Sequence, residues 1–175
     1  MERIAIFGGS FNPIHNGHVR VALRAAAEQG FDRVLVTPAK TSPFKTDGAT
    51  AFFTDEERWR MVVAACAERP PLVACDVELR RGGVSYSIDT VRAVRAAHPG
   101  DEIFFIVGED AAAGLPRWRD ADELRRLAKF VTFPRTMESS TEIRRRIAAG
   151  EAWDDLVPEP VGRIIREIEE ARRGR

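Results

Sequence analysis

Short apolar runs alternate along this chain with stretches whose apolar residues recur every three or four positions. Arg3 to Phe7 reads as a short buried strand that Gly8-Gly9 ends. Val19, Ala22, Leu23 and Ala26 follow at helical spacing, and Gly30 closes that helix. Val34 to Thr37 is a second strand, broken by Pro38, and the polar stretch from Ala39 to Thr54 reads as a loop. Asp55 to Arg69 is helical, with Trp59, Val62, Val63 and Cys66 on one side. Leu72 to Cys75 is a third strand. Ser87 to His98 is a helix stopped by Pro99-Gly100, and Ile103 to Val107 is the most apolar strand, ending at Gly108. A short helix near Asp122 to Leu127 leads to a fifth strand, Phe130 to Phe133. Two helices finish the chain, the last with Val161, Ile164, Ile165 and Ile168 at i, i+3, i+4 and i+7.

Apolar strands that alternate with amphipathic helices imply βαβ units. The fold class is therefore α/β, a doubly wound Rossmann-like parallel sheet of about five strands flanked by helices. No repeat or linker divides the chain, so residues 1–175 are expected to form a single domain. Such sheets bind ligands beyond the carboxyl ends of their strands. Unusual residues should therefore follow strands, and they do at 8–18, 37–45, 108–118 and after the fifth strand.

Lys plus Arg and Asp plus Glu both total 27, so the net charge near zero argues against a general polyanion or nucleic-acid binder. Two cysteines, Cys66 and Cys75, form no disulfide-rich pattern, which suits a reducing cytoplasm. No apolar run reaches a membrane span and no signal-peptide stretch opens the chain.

The chemistry concentrates in two places. The stretch Gly8-Gly9-Ser10-Phe11-Asn12-Pro13-Ile14-His15-Asn16-Gly17-His18 holds two of the chain's three histidines. Asn16 can cap a helix there, and free N–H groups at its positive end form an anion site. His15 and His18, three apart, can face one ligand and donate to phosphate oxygens. Ser139-Ser140-Thr141-Glu142-Ile143-Arg144 fits a capping box, and Arg144 shares a face with Ser140 and Thr141, a second anion site. Arg145 and Arg146 turn to other faces. Weaker candidates are Lys45 in a loop, Asp110 after Gly108 for ribose hydroxyls or a metal shell, and Trp118 for stacking on a base. Neither GxxxxGK[ST] nor GxGxxG is present.

Together these residues resemble the bacterial nicotinate-nucleotide adenylyltransferases of the HxGH nucleotidyltransferase superfamily. Residues 8–18 are similar to GG[ST]F[DN]PxHxGH, 139–144 to SSTxIR, and Gly108-Glu109-Asp110 to GxD. Ser85-Tyr86-Ser87, Asp89-Thr90 and Leu156-Val157-Pro158 also fit. The resemblance implies that nicotinate mononucleotide and ATP, the latter carrying Mg²⁺, are joined into the deamidated dinucleotide and pyrophosphate. The acceptor phosphate attacks the α-phosphorus in line, without an enzyme nucleophile. It implies catalytic roles for His15, His18 and Arg144. Phosphate or ATP contacts fall to Gly8, Gly9, Ser10, Phe11, Lys45, Gly108, Asp110, Ser140 and Thr141, and acceptor contacts to Ser87 and Trp118. It assigns no protein metal ligand and leaves room for a homo-oligomer. The chain departs in three places: Ser42-Pro43-Phe44-Lys45 stands for PPHK or SPHK, only Pro134 to Glu138 separate the fifth strand from SST, and Glu138 replaces an isoleucine. Another acceptor (nicotinamide mononucleotide or phosphopantetheine), CTP as donor, and a non-catalytic nucleotide-binding regulator are the alternatives.

Overall fold

The structure, a computed structural model, describes residues 1–43, 52–134 and 136–174. Lys45 and its neighbour Phe44 lie outside the described residues. In chain order the elements are β1 (Arg3–Gly9), α1 (Asn16–Gln29), β2 (Arg33–Pro38), α2 (Asp55–Cys66), β3 (Leu72–Ala74), α3 (Val77–Arg81), α4 (Ser87–Ala97) and β4 (Glu102–Gly108). They continue with α5 (Glu109–Ala112), a 3-10 turn at Leu115–Arg117, α6 (Ala121–Leu127), β5 (Lys129–Phe133), α7 (Ser140–Ala149), a second 3-10 turn at Asp154–Leu156, and α8 (Glu159–Arg173). The strands form one parallel sheet in the order β3-β2-β1-β4-β5.

Both faces of this sheet are covered, which is why the central strands read as unbroken apolar runs rather than alternating ones. Alternate residues still separate by face. Ala5, Val34, Val36, Phe104 and Ile106 join one core with residues of α1, α2, α7 and α8. Ile4, Ile6, Leu35, Ile103, Phe105 and Val107 join the other with residues of α4 and α6.

Three local expectations change. Helix α2 buries Arg58, Met61, Val62, Ala65 and Cys66, the true i, i+3, i+4, i+7, i+8 stripe, and leaves Val63 exposed. It stops at Cys66, short of Arg69. Helix α3 was not visible in the apolar pattern because it is five residues long and buries a carboxylate, Glu78. The stretch after β2 is not wholly irregular either: Thr41 bridges Val84, and the Lys40 N–H donates to the Ser85 hydroxyl at 2.9 Å.

Candidate active site

Strand β1 has β2 on one side and β4 on the other, so the direction of winding reverses between β1 and β4. A crevice must open beyond their carboxyl ends. A cleft of about 420 Å³ lies there, floored by Phe7 of β1 and by Ile106, Val107 and Gly108 of β4. One wall carries His15, Gly17 and His18, and the other Ser139, Ser140, Thr141 and Arg144. The two stretches that stood 120 or more residues apart in the chain thus share one pocket.

The histidine wall is organised by a cap that differs from the expected one. His15, not Asn16, is the N-cap of α1. Its ring accepts from the His18 N–H at 3.4 Å, and the His18 Nδ1 accepts from the His15 N–H at 3.2 Å. Asn16 instead sends its amide to the Asp155 carbonyl at 3.0 Å. Two N–H groups that an anion would otherwise use are thereby taken. In exchange, both rings are fixed as the tautomer with the proton on Nε2, a donor suited to a phosphate oxygen. The rings stack at 3.6 Å between centroids, and Phe11 stands edge-on to His18 at 5.0 Å. Phe11 is itself buried in the core, so it acts on the cleft by holding His18.

His15 is 3% exposed, and burial pushes its imidazole from 6.5 down to about 4; the nearby Glu138 opposes this and Arg20 adds to it. At neutral pH it is therefore an uncharged donor. Among the described residues that line the cleft, Arg144 is the one arginine or lysine. That guanidinium donates to the Asn12 carbonyl at 2.8 Å and the Thr141 hydroxyl at 3.2 Å, and no carboxylate pairs with it among the described residues. Partial burial disfavours its charge, a cost that an incoming anion would offset. Arg145 and Arg146 are engaged elsewhere, on Glu142 and on Glu151 or the Ala152 carbonyl. The α7 cap is half of the expected box: Ser139 accepts from the Glu142 N–H, while the Glu142 side chain turns to those arginines.

Glycines here serve close packing as much as chain direction. A Cβ on Gly17 would sit 2.3 Å from Thr136 Oγ1, 2.8 Å from its Cβ and 3.0 Å from Glu138 Oε2. The glycine between the histidines is therefore what lets the short β5–α7 connection cross α1. Gly9 leaves room for the Phe11 ring, which would approach its Cβ to 3.0 Å. Phe11 adopts φ 44°, a left-handed conformation uncommon for a bulky residue.

Other predicted residues stand nearby but do not line the cleft among the described residues. Gly8 and Gly9 end β1, Ser10 follows, and Asp110 is exposed in the first turn of α5. Trp118 packs on the α4–α6 side, edge-on to Phe105 and Phe130 at 6.1 and 6.4 Å. Ser87 opens α4 behind Tyr86, whose ring lies 4.6 Å from the Arg119 guanidinium.

Two residues that sequence reasoning passed over support these loops. Arg58 is buried, donates to the Ser10 carbonyl at 2.6 Å, and pairs with Asp55 at 2.6 Å. Asp55 also takes Lys40, so one chain of contacts joins the segments after β1 and β2. Glu78 accepts the Thr90 hydroxyl at 2.6 Å, and burial raises its carboxyl above the ordinary value, with Thr90 and Ser85 opposing. The signal for Arg58 was its place on the α2 stripe, where an arginine reads as exposed; for Glu78 there was none.

Known proteins resemble this chain over most of its length. A family model described as cytidylyltransferase-like matches residues 6–150. A protein of Shouchella clausii named as a nicotinate-nucleotide adenylyltransferase is 36% identical over 185 residues, covering 95% of each chain. Among solved structures, one from Vibrio parahaemolyticus described as a nicotinate-nucleotide adenylyltransferase has a TM-score of 0.76 at 19% identity, covering 95% of this chain and 93% of that one. The Plasmodium falciparum nicotinic acid mononucleotide adenylyltransferase complexed with NaAD has a TM-score of 0.69 at 15% identity, covering 95% and 96%. At those identities the two structures bear on the fold alone.

Proposed function

The chain belongs to the nicotinate-nucleotide adenylyltransferases, within the cytidylyltransferase-like family, and from that premise we propose how its cleft joins ATP to nicotinate mononucleotide. An oxygen of the acceptor's 5′-phosphate attacks the α-phosphorus. The bond from that phosphorus to the bridging α–β oxygen breaks, and the electron pair leaves with pyrophosphate. The products are the deamidated dinucleotide and pyrophosphate. The observation that carries this reading is that the paired imidazoles and Arg144 line one cleft at the switch point of the sheet.

Each residue then has a task. His18 donates from Nε2 to the α-phosphate oxygens, and His15 to the β- and γ-phosphate region. Arg144 with the Ser140 and Thr141 hydroxyls receives the leaving pyrophosphate, where charge grows in the transition state. Gly8, Gly9, Ser10 and Phe11 shape the phosphate side, Gly108 and Asp110 the ribose side, and Ser87 and Trp118 the acceptor side. Lys45 adds charge from its loop. Holding two anions in line supplies roughly 7–11 kcal/mol, and one preorganised donor about 3–4 kcal/mol. The cleft's donors are imidazole, hydroxyl and guanidinium, which suit phosphate oxygens rather than a bare cation. Mg²⁺ is therefore read as arriving on ATP, consistent with its preference for phosphates and few protein ligands. One domain spanning 1–175 carries the reaction, since one sheet bears both walls. Use of ATP and the unpaired Cys66 and Cys75 support a cytoplasmic setting, and no helix among the described residues is long and apolar enough to cross a membrane.

The test is pyrophosphate release, measured with ATP or CTP against nicotinate mononucleotide, nicotinamide mononucleotide and phosphopantetheine. Turnover should be fastest with ATP and nicotinate mononucleotide, and His18→Ala should lower kcat by about 100-fold. A preference for CTP or for another acceptor, or near-normal turnover in His18→Ala, overturns the reading.

A further inference from the structure

The wall made by the β5–α7 connection contains an electrostatic oddity. Glu138 lines the same cleft as His15 and Arg144, and its side chain is only 15% exposed. The hydrogen bond from Arg20, together with the charge of that guanidinium, holds its carboxyl below the usual range. It is therefore an anion at neutral pH. A fixed negative charge on the wall of a pocket built to receive phosphates opposes the pocket's own ligand. Arg20 answers it from the next turn of α1, with one guanidinium nitrogen 2.5 and 2.6 Å from the two carboxylate oxygens. Arg20 is itself 59% exposed and does not line the cleft.

We propose that Arg20 and Glu138 are a specificity-determining pair that sets how strongly the cleft holds polyphosphate: Glu138 weakens anion binding, and Arg20 limits that effect by neutralising it. This rests on the phosphate-binding reading of the cleft. The consequence for the reaction is release. Arg144, Ser140 and Thr141 grip a leaving group of high charge, and a nearby carboxylate keeps that grip from becoming too tight. A pair that acted only as a mechanical staple, pinning Thr136 and Glu138 over Gly17, would behave differently. Breaking a staple from either end loosens the wall and weakens binding. Removing a repulsive charge strengthens it. The two single variants must therefore move in opposite directions if the charge is what matters.

Inorganic tripolyphosphate is the probe, titrated calorimetrically into the full chain at low and high salt, with thermal melts to confirm folding. Arg20→Met should weaken binding by about tenfold and Glu138→Gln should tighten it by about threefold to tenfold, the size of one nearby surface charge. The double variant should bind within about twofold of the parent, Arg20→Lys should stay close to it, and all differences should shrink at high salt. Weakening in both single variants, or no change in Glu138→Gln, overturns the proposal while leaving the cleft's function intact. Failure of the parent protein to bind tripolyphosphate overturns both.

Discussion

Gly17→Ala adds one methyl group and should remove most of the activity. The new Cβ would lie 2.3 Å from Thr136 Oγ1 and 2.8 Å from Thr136 Cβ, where ordinary contact begins at 3.4 Å. Rotating the Thr136 side chain moves its oxygen but not its Cβ. The backbone of the β5–α7 connection must then retreat by about 0.6 Å at least, and by about 1 Å if the rotamer is kept. Only Pro134 to Ser139 link β5 to α7, so this shift passes to Ser140, Thr141 and Arg144 across the cleft from the histidines. A misplacement near 1 Å costs about 100-fold in rate. The stability change should be smaller: overpacking costs about 1–3 kcal/mol, and alanine regains about 1 kcal/mol of helix propensity. Steady-state pyrophosphate release and thermal melting on the same samples separate the two effects. Replacing Thr136 by glycine in the Gly17→Ala background removes both close Thr136 atoms and should restore most of the rate. Unchanged kcat in Gly17→Ala, or no rescue in the double variant, refutes the argument that this glycine sets the width of the cleft.

Three further outcomes follow from the same structure. His15 is neutral when folded, with its imidazole at about 4 against 6.5 unfolded, so its contribution is complete above about pH 6.5 and lost as pH falls toward 4. Chemical denaturation at pH 7 and pH 4.5 should show about 2–3 kcal/mol of destabilisation that His15→Asn removes; an equal loss in that variant would assign the effect to other groups. Arg58→Met removes the donor to the Ser10 carbonyl and should cost about 1.5–3 kcal/mol, with kcat lowered more than either KM; a wild-type kcat would show that the Ser10 loop is held without it. Trp118→Ala should raise the KM for the mononucleotide and leave that for ATP unchanged, so a fall in ATP affinity alone would refute its place on the acceptor side.

Much of this protein was legible in its sequence because the signals are local. Strand β4 announced itself by five consecutive apolar residues, α8 by Val161, Ile165 and Ile168 at helical spacing, and α1 by the glycine that ends it in a left-handed turn at φ 64°. Parallel pairing followed from the alternation of such elements, and a ligand crevice followed from parallel pairing. The residue types at 15, 18 and 140–144 named the chemistry, since imidazole, hydroxyl and guanidinium donors beside helix ends favour phosphate.

Only the tertiary structure decided what those groups do to one another. No spacing rule says that two histidines three apart will cap each other's backbone, fixing their tautomers, or that His15 will be buried deeply enough to lose its charge. Gly17 stands in the sequence only as part of the histidine stretch, yet its value lies in the Thr136 and Glu138 atoms that pass over it from more than a hundred residues away. The sequence singled out Arg58 not at all and Glu138 only as a replaced isoleucine, whereas packing encloses one and sets the other beside an anion cleft. The reason is common to all of these: periodicity records which way a residue faces along its own element. Burial, charge state and fit depend on which distant element lies against that face.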